Sequence, residues 1–213
     1  MSISKTFVVT TTFVLVAAFA RGQEPEPAVR SSMSFHAGYL WPTGGWTDHR
    51  FAGVAFFQSG PVFGGELAFR LSDRLALALN GGYSKLDQGD WQAYARSRGS
   101  DLTSSASLAY LSALLRPYLK SDAPDLIMLD IGPLILFGRG SEKFATHTFD
   151  YDFFGSVRWG GQGAIQYCRC LTRSFGVTVR LAVIVVPSAL QYADGDSRTL
   201  VAFPVTVGVQ LFL

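Results

Sequence analysis

The chain has 213 residues, of which 48% are hydrophobic, 14% aromatic and only 16% charged, with 22 glycines. A net charge of +2 leaves no cationic excess to neutralise a phosphate backbone, so a strongly basic nucleic-acid binder is excluded. The length fits one domain behind a removable leader, and no apolar run reaches the roughly 18 residues that a membrane helix needs.

The first 22 residues read as a secretory signal. Lys5 supplies the positive start, Phe7 to Phe19 the short apolar stretch, and Ala18-Phe19-Ala20 a small-x-small cleavage site, with Ala20-Arg21-Gly22 as a second option. Residues 23–30 form a polar, Pro-rich spacer (Gln23-Glu24-Pro25-Glu26-Pro27), and residues 31–213 form the mature domain. No Cys follows the cleavage site closely, so a lipoprotein is not expected. Loss of Lys5 and Arg21 with the leader leaves a nearly neutral chain.

The mature part shows no helical period. It alternates apolar and small or polar residues, the period of two expected for strands. Ser32 to Trp41 presents Phe35, Ala37, Tyr39 and Trp41 on one face, with Ser34, His36 and Gly38 on the other. Pro61 to Leu71 sets Phe63, Leu67 and Phe69 against Gly64, Glu66, Ala68 and Arg70. Arg74 to Lys85 sets Leu77, Leu79 and Tyr83 against Ala78, Asn80 and Gly82. Thr103 to Leu119 sets Leu111, Ala113 and Leu115 against Tyr110, Ser112 and Arg116. Asp125 to Phe137 sets Leu129, Ile131 and Ile135 against Asp130 and Gly132. Gly155 to Leu171 sets Trp159, Ile165 and Tyr167 against Arg158, Gln162, Ala164 and Gln166. Phe175 to Pro187 sets Val179, Leu181 and Val183 against Gly176, Thr178, Arg180 and Ala182. Val201 to Leu213 sets Phe203, Val205, Val207 and Val209 against Thr206, Gly208 and Gln210. Pro117 and Pro133 sit badly in central ladders and call for bulges or local edges.

Turns and loops alternate. Short turns fall at Ser72-Asp73, at 121–124 and at Thr172-Arg173-Ser174. Long loops fall at 43–60, 86–102, 138–154 and 188–199. Short turns at one end and long loops at the other are the pattern of an outer-membrane barrel, and eight strands put both termini on the periplasmic side. A soluble lipocalin-like barrel with an apolar ligand cavity alternates as well. Its solvated exterior would carry Lys and Glu, whereas the non-apolar face here is rich in Gly, Ala and Ser, as a narrow eight-strand lumen requires. Tyr39, Trp41, Tyr83, Phe137, Trp159 and Phe203 fall near the loop ends, and Phe35, Phe69, Tyr167 and Phe175 near the turn ends, as two aromatic girdles. The expected fold is therefore all-β: an eight-stranded antiparallel, up-and-down transmembrane barrel.

Several segments resemble the small bacterial outer-membrane β-barrel family, the outer membrane protein beta-barrel domain or porin-family type. Leu108 to Tyr118 is similar to the family's fourth strand, Ile131-Gly132-Pro133-Leu134 to its Gly-Pro strand, and Gly161-Gln162-Gly163 through Tyr167 to its Gly-rich sixth. Val205 to Leu213 resembles the terminal strand that outer-membrane assembly machinery reads, with Phe212 one place before the last residue. The resemblance spans about residues 30–213. It implies a bacterial outer-membrane location, with membrane lipid and the assembly machinery as partners. It implies no reaction and no ligand.

Candidate chemistry is sparse. Glu66, Arg70, Arg116, Asp130, Arg158 and Arg180 would all point into the lumen. Buried charges must pair, so these six read as an ion-pair network that closes the barrel, or alternatively as a narrow ion path gated by Glu66. Cys168 and Cys170 flank Arg169. Their Cα atoms would lie about 6.6 Å apart in an extended strand, at the outer limit for a disulfide, so either a bond or two packed thiols fits. His36, His49 and His147 are the three histidines. Ser141, Glu142 and His147, with Asp150 and Asp152, share a loop but lack a nucleophile motif, and a zinc site there would be generic. Loop aromatics (Trp46, Phe51, Phe56, Phe57, Trp91, Tyr94, Phe149, Tyr151, Phe153, Phe154, Tyr192) would either bind an external partner or pack the loops. No cofactor and no enzymatic activity are expected. The sequence favours a closed, non-enzymatic barrel serving envelope structure or surface interaction, ahead of a small-solute pore, a lipid or peptide hydrolase, or a soluble ligand-binding barrel.

Overall fold

The structure is a computed structural model. It describes residues 31–44, 58–87, 89–97, 99, 102–121, 124–144, 147–152, 157–191 and 197–213. The leader, the Pro-rich spacer, His49 and the aromatics Trp46, Phe51, Phe56, Phe57, Phe153, Phe154 and Tyr192 lie outside the described residues, as do the side chains of Trp91, Tyr94, Phe149 and Tyr151.

Nine strands form one antiparallel sheet: β1 (Ser31–Gly44), β2 (Gly60–Ser72), β3 (Leu75–Leu86), β4 (Leu102–Lys120), β5 (Asp125–Phe144), β6 (His147–Asp152), β7 (Arg158–Cys170), β8 (Phe175–Gln191) and β9 (Ser197–Phe212). Apart from β6, neighbours in the chain are neighbours in the sheet, β1 pairs with β9, and β4 pairs with β5 while β5 pairs with β7. Eight strands thus close into an up-and-down barrel. The short β6 pairs only with the far end of β5, extending it as a hairpin beyond the rim.

Parts of the stretches expected to be loops are ordered, and within 188–199 β8 runs on to Gln191 and β9 starts at Ser197. Residues 138–144 continue β5 and pair with β6, so the fifth strand is seven residues longer than the alternation up to Phe137 indicates. Within 86–102 lies a helix, α1 (Gly89–Ser97), although the chain shows no helical period. It ends near Gly99, whose φ of 79° is the left-handed conformation that glycine adopts freely. The Gly99 N–H donates to the Arg96 carbonyl at 2.9 Å. Gln92 Nε2 donates to the Ser104 carbonyl at 2.6 Å and ties α1 to β4. The described part of the sixth segment begins at Arg158, and Gly155 lies outside the described residues.

The prolines are absorbed as their chemistry requires. The β4–β5 register shifts between Tyr118 and Lys120, just after Pro117. It has no assigned pair at Pro133, between the Ser112–Leu134 and Leu115–Ile131 pairs, while Pro133 keeps Gly161 of β7 as its register partner. The shift between Val186 and Leu190 brackets Pro187, and β8 resumes beyond it to Gln191.

The alternation orients every barrel strand as the sequence indicates. Phe35, Phe63, Leu67, Phe69, Leu79, Leu111, Ile131, Trp159 and Leu181 are exposed on the outside, while Glu66, Asn80, Ser112, Arg116, Gln166 and Arg180 are buried inside. The interior fits because large and small side chains face each other across the strands. His36 is flanked in register by Gly64 of β2 and Gly208 of β9, and Tyr110 of β4 faces Gly82 of β3. A Cβ at Gly82 would run into the Tyr110 ring.

The interior is also less uniformly polar than its small and charged residues imply. At the loop end, Leu40, Val62, Leu86, Leu108, Leu134, Leu136, Ile184, Val186 and Leu200 pack into one buried apolar cluster. The remaining void there is about 10 Å³, lined by Leu40, Leu108, Tyr110, Leu136, Ile184, Val186, Leu200 and Ala202. The sequence signal is the loss of alternation near the loop ends (Leu134-Ile135-Leu136-Phe137, Val183-Ile184-Val185-Val186, Leu200-Val201-Ala202-Phe203). Strands buried on both faces carry such continuous apolar runs.

Substituting Gly82→Val forces the Tyr110 ring from its seat in a filled interior. A destabilisation of about 1–3 kcal/mol is expected for such overpacking, measured as a lower urea midpoint. An unchanged midpoint would show that the Gly82–Tyr110 contact is not tight.

Candidate functional site

The middle of the barrel holds a charged cluster centred on Arg116. The i, i+2 period of β4 points it inward, and it has 0% solvent exposure. Its Nη1 and Nη2 donate to the two oxygens of Glu66, each at 2.6 Å. Its Nε donates to Asp130 Oδ1 at 2.6 Å and Nη2 to Asp130 Oδ2 at 2.9 Å. Gln166 Oε1 accepts from Nη2 at 3.3 Å. The planar guanidinium thus meets two carboxylates along two edges, the fork geometry that arginine has and lysine lacks.

Arg180 of β8 completes the cluster. Its Nη2 donates to Asp130 Oδ2 at 3.0 Å, and its Nη1 lies 3.9 Å from Glu66 Oε2. Glu66 of β2, Arg116 of β4, Asp130 of β5, Gln166 of β7 and Arg180 of β8 therefore tie five strands together across the lumen. Two cations and two anions balance, and all four ionic side chains are at most 5% exposed. A second tie lies beside it: the Ser112 hydroxyl is 2.5 Å from Gln162 Oε1 and 3.2 Å from the Asn80 carbonyl. Toward the turn end, Gln210 Nε2 donates to Ser32 Oγ at 2.9 Å.

Two of the six expected lumen charges lie apart from this cluster. Arg70 turns to the turn-end rim. Its Nε donates to the Ser72 carbonyl at 3.1 Å and its Nη2 to the Asp73 carbonyl at 2.8 Å, and its guanidinium lies 5.0 Å from the Tyr118 ring centroid. Its place four residues beyond Glu66 on β2, next to the Ser72-Asp73 turn, puts these carbonyls within reach. Arg158 is the first residue of β7 at the loop end, in register with Leu136, well removed from Arg116. Cys168 and Cys170 are free, buried thiols rather than a disulfide. Both point inward, two residues apart on one strand, and pack with Leu126, Met128, Tyr118 and Phe212.

Ser141 pairs in register with Asp150, and His147 with Phe144. Three pair positions separate Ser141 from the His147 pair, about 10 Å along the hairpin, so the backbone does not set this serine beside this histidine. The side chains of Glu142, His147, Asp150 and Asp152 lie outside the described residues.

Sequence reasoning missed three functional features: the apolar section above the charges, the polar Ser112–Gln162–Asn80 tie, and a collar on the outer face at the turn end. There, Asp125 accepts from the Tyr167 hydroxyl at 2.6 Å and from Arg169 Nη1 at 2.7 Å, with Lys120 Nζ at 3.8 Å. The Gly-rich inner face was the available signal for close cross-lumen contacts. The Asp125–Tyr167 and Asp125–Arg169 pairs are local in register but distant in sequence, and nothing in the sequence marks them.

No protein-family model matches the chain, and no curated protein matches it. Among solved structures the chain is similar to Neisserial surface protein A, with a TM-score of 0.58 at 11% identity, covering 88% of this chain and 100% of that one. It is also similar to a major outer membrane protein from Thermus thermophilus, with a TM-score of 0.51 at 12% identity, covering 86% of this chain and 99% of that one. At such identities the likeness is one of fold: a closed eight-stranded barrel.

Removing one buried partner strands its mates, so Arg116→Met, which leaves Glu66 and Asp130 facing each other, is expected to cost about 3–5 kcal/mol. Replacing Glu66, Arg116, Asp130 and Arg180 together by apolar residues of similar volume is expected to recover most of that loss. Urea midpoints of the single and quadruple variants check this. A quadruple variant as unstable as Arg116→Met would mean that the charges do more than balance one another.

Proposed function

We propose that this chain is a bacterial outer-membrane barrel of the non-enzymatic kind, serving envelope structure or surface interaction, with a closed lumen. The observation that carries the proposal is the stacking of two seals inside a barrel whose outside is apolar. The outer face exposes Phe35, Phe63, Leu67, Phe69, Leu79, Leu111, Ile131 and Leu181 as a continuous band. Soluble proteins rarely expose apolar patches beyond a few hundred Å², and hydrocarbon is the solvent that such a band fits. Closure meets the matching demand that each backbone N–H and C=O be satisfied within the sheet.

The rings support the same reading. Trp41 pairs in register with Phe203 at the loop end, and the Tyr39 and Trp41 rings lie 5.2 Å apart. Tyr167 holds its hydroxyl in the polar collar at the turn end. Amphipathic rings favour the two membrane interfaces. The outer-membrane proteins that share the fold support a bacterial outer-membrane location. Lipid and, through β9, the outer-membrane assembly machinery are then the partners. A lipocalin-like barrel needs the apolar face turned inward, opposite to the orientation of every strand here.

Inside, water moving along the axis would meet the apolar Leu108–Leu136–Ile184 section and then the Arg116 cluster. An eight-strand barrel has room for side chains and little more. This supports a sealed lumen over a solute pore.

Two measurements test the proposal. Fractionation of cells expressing the full chain is expected to place it in the outer membrane, with gel mobility that changes on boiling. A soluble periplasmic protein whose mobility ignores boiling would overturn the membrane reading. Planar-bilayer recordings of the refolded protein are expected to show no recurring unitary conductance. Steps that disappear in Glu66→Gln would instead establish an ion path through the charged cluster.

A further inference from the structure

Three sulfurs meet in the lumen on the turn side of the charged cluster. Along β7 the inward positions run from Gln166, which touches Arg116, to Cys168 and Cys170. Successive inward positions lie about 6.6 Å apart. Met128 of β5 is in register with Gln166, and Leu126 with Cys168. The long Met128 side chain thus reaches Cys168 on the cross-strand diagonal. All three belong to one buried cluster, in which Cys168 and Met128 have no exposure and Cys170 has 8%. The Cys168 and Cys170 thiols are in hydrogen-bonding contact with each other.

The surroundings hold these sulfurs in place. Cys168 Sγ lies against Gly176 of β8, where an added Cβ would come within 2.8 Å of it and 3.3 Å of the Phe212 ring. Gly176 is in register with Cys170, so Cys168 Sγ leans along the strand toward the other thiol. The backbone around Cys170 is pinned on both sides. Its N–H donates to the Pro124 carbonyl at 2.7 Å, and the Leu171 and Thr172 N–H groups donate to the Phe175 carbonyl at 2.9 and 3.0 Å. Tyr118 and Phe212 pack against the cluster.

Thiolates and a thioether are soft ligands that suit Cu(I). Zn(II) takes four ligands in a tetrahedron, and among the described residues no group of three or more His, Cys, Asp or Glu could supply them. Metal–thiolate bonds of about 2.3 Å, as at zinc, span a wider gap between two sulfurs than an S–S bond of about 2.05 Å. A bridging ion therefore fits a regular strand in which a disulfide would strain. We propose that Cys168, Cys170 and Met128 form a site for one Cu(I) ion, with the two thiolates as primary ligands and the thioether as the third. On loading, each thiol gives its proton to solvent, so one Cu(I) enters, two protons leave, and no oxidation state changes. Cys170 is the thiol nearest the turn and gives the ion its way in. The site is independent of where the barrel resides.

The test uses the full refolded protein, reduced and kept free of oxygen. Cu(I) is titrated in competition with the chromophoric chelator bicinchoninate, and the loaded protein is examined by X-ray absorption at the copper edge. The variants are Cys168→Ser, Cys170→Ser, Met128→Leu and Gly176→Ala, the last of which pushes on Cys168 Sγ without removing a ligand. Far-ultraviolet circular dichroism checks that each keeps its strand content. The chain has two cysteines, so a sulfur shell in the wild type locates the ion even where a variant fails to fold.

Wild type is expected to retain a single Cu(I) against the chelator, in a shell made of sulfur, and to hold it more tightly as pH rises because protons are released. Each Cys→Ser variant is expected to lose the ion. Met128→Leu and Gly176→Ala are expected to weaken retention about tenfold, the scale of loss when a supporting group at a metal site is changed. No retention by the wild type, a shell dominated by oxygen or nitrogen, or retention by folded Cys168→Ser and Cys170→Ser equal to that of the wild type overturns the proposal. So does a Cys168–Cys170 disulfide in the wild type that excess thiol fails to reduce.

Discussion

A guanidinium with no access to water sits in the middle of this barrel, and much of the interior follows from it. The Born cost of burying such a charge is several kcal/mol even after relaxation, so Arg116 requires anions within hydrogen-bonding reach. A single strand cannot supply them, because successive inward residues on one strand are spaced along it rather than around the guanidinium. Glu66 and Asp130 therefore come from β2 and β5, which are not adjacent, and each meets a different edge of the guanidinium. Two carboxylates around one cation leave a surplus negative charge, which Arg180 from β8 balances. The cluster works as a set of cross-braces whose geometry holds only if the barrel closes with this register. Such a network contributes little net stability over an apolar filling, but it discriminates strongly against slipped registers, since a one-residue slip would turn these charges outward.

The same constraint explains why the neighbouring inward positions are small. Arg116 needs space to extend across the lumen, and Ala76, Ala78, Ala164 and Ala182 supply it on β3, β7 and β8. Where the charges end, toward the loops, Leu, Ile and Val refill the same cross-section. The interior is thus a short polar layer joined to an apolar one, each filled to contact, and the order along the axis is set by which residues can share a layer without stranding a charge.

Much of this was legible in the sequence, for a definite reason. A period of two is a one-dimensional signal, so strand number, face orientation and turn positions could be read from residues such as Leu77-Ala78-Leu79-Asn80. The inward sense of Glu66, Arg116, Asp130 and Arg180 followed from the same parity. What parity cannot give is position along the axis. Arg70 and Arg158 have the inward parity too, yet one sits at the turn rim and the other at the loop-end start of β7, because strand stagger and tilt decide which residues share a layer. The apolar layer was hidden for a related reason. An inward Leu136 beside an outward Phe137 breaks alternation and reads as noise in a strand, although it marks a strand buried on both faces. The hairpin beyond Phe137 and the helix α1 were hidden because they depend on local pairing and a tie to β4 rather than on a long periodic pattern.

The orientation of the barrel wall finally decides between two physical classes that share one alternating sequence pattern. In water, an eight-strand barrel gains stability by turning Phe63, Leu79, Ile131 and Leu181 inward and leaving charges outside. This chain does the reverse, and the reverse is tolerable only if two conditions hold together. The outside must meet an apolar solvent, and the inside must pair its buried charges. The Arg116 cluster meets the second condition by direct contact, whereas His36 Nε2, Gln162 Nε2, Arg180 Nε and Gln210 Oε1 are buried without a protein partner. An interior braced by charges paired across the lumen and an apolar exterior are therefore two aspects of one inversion.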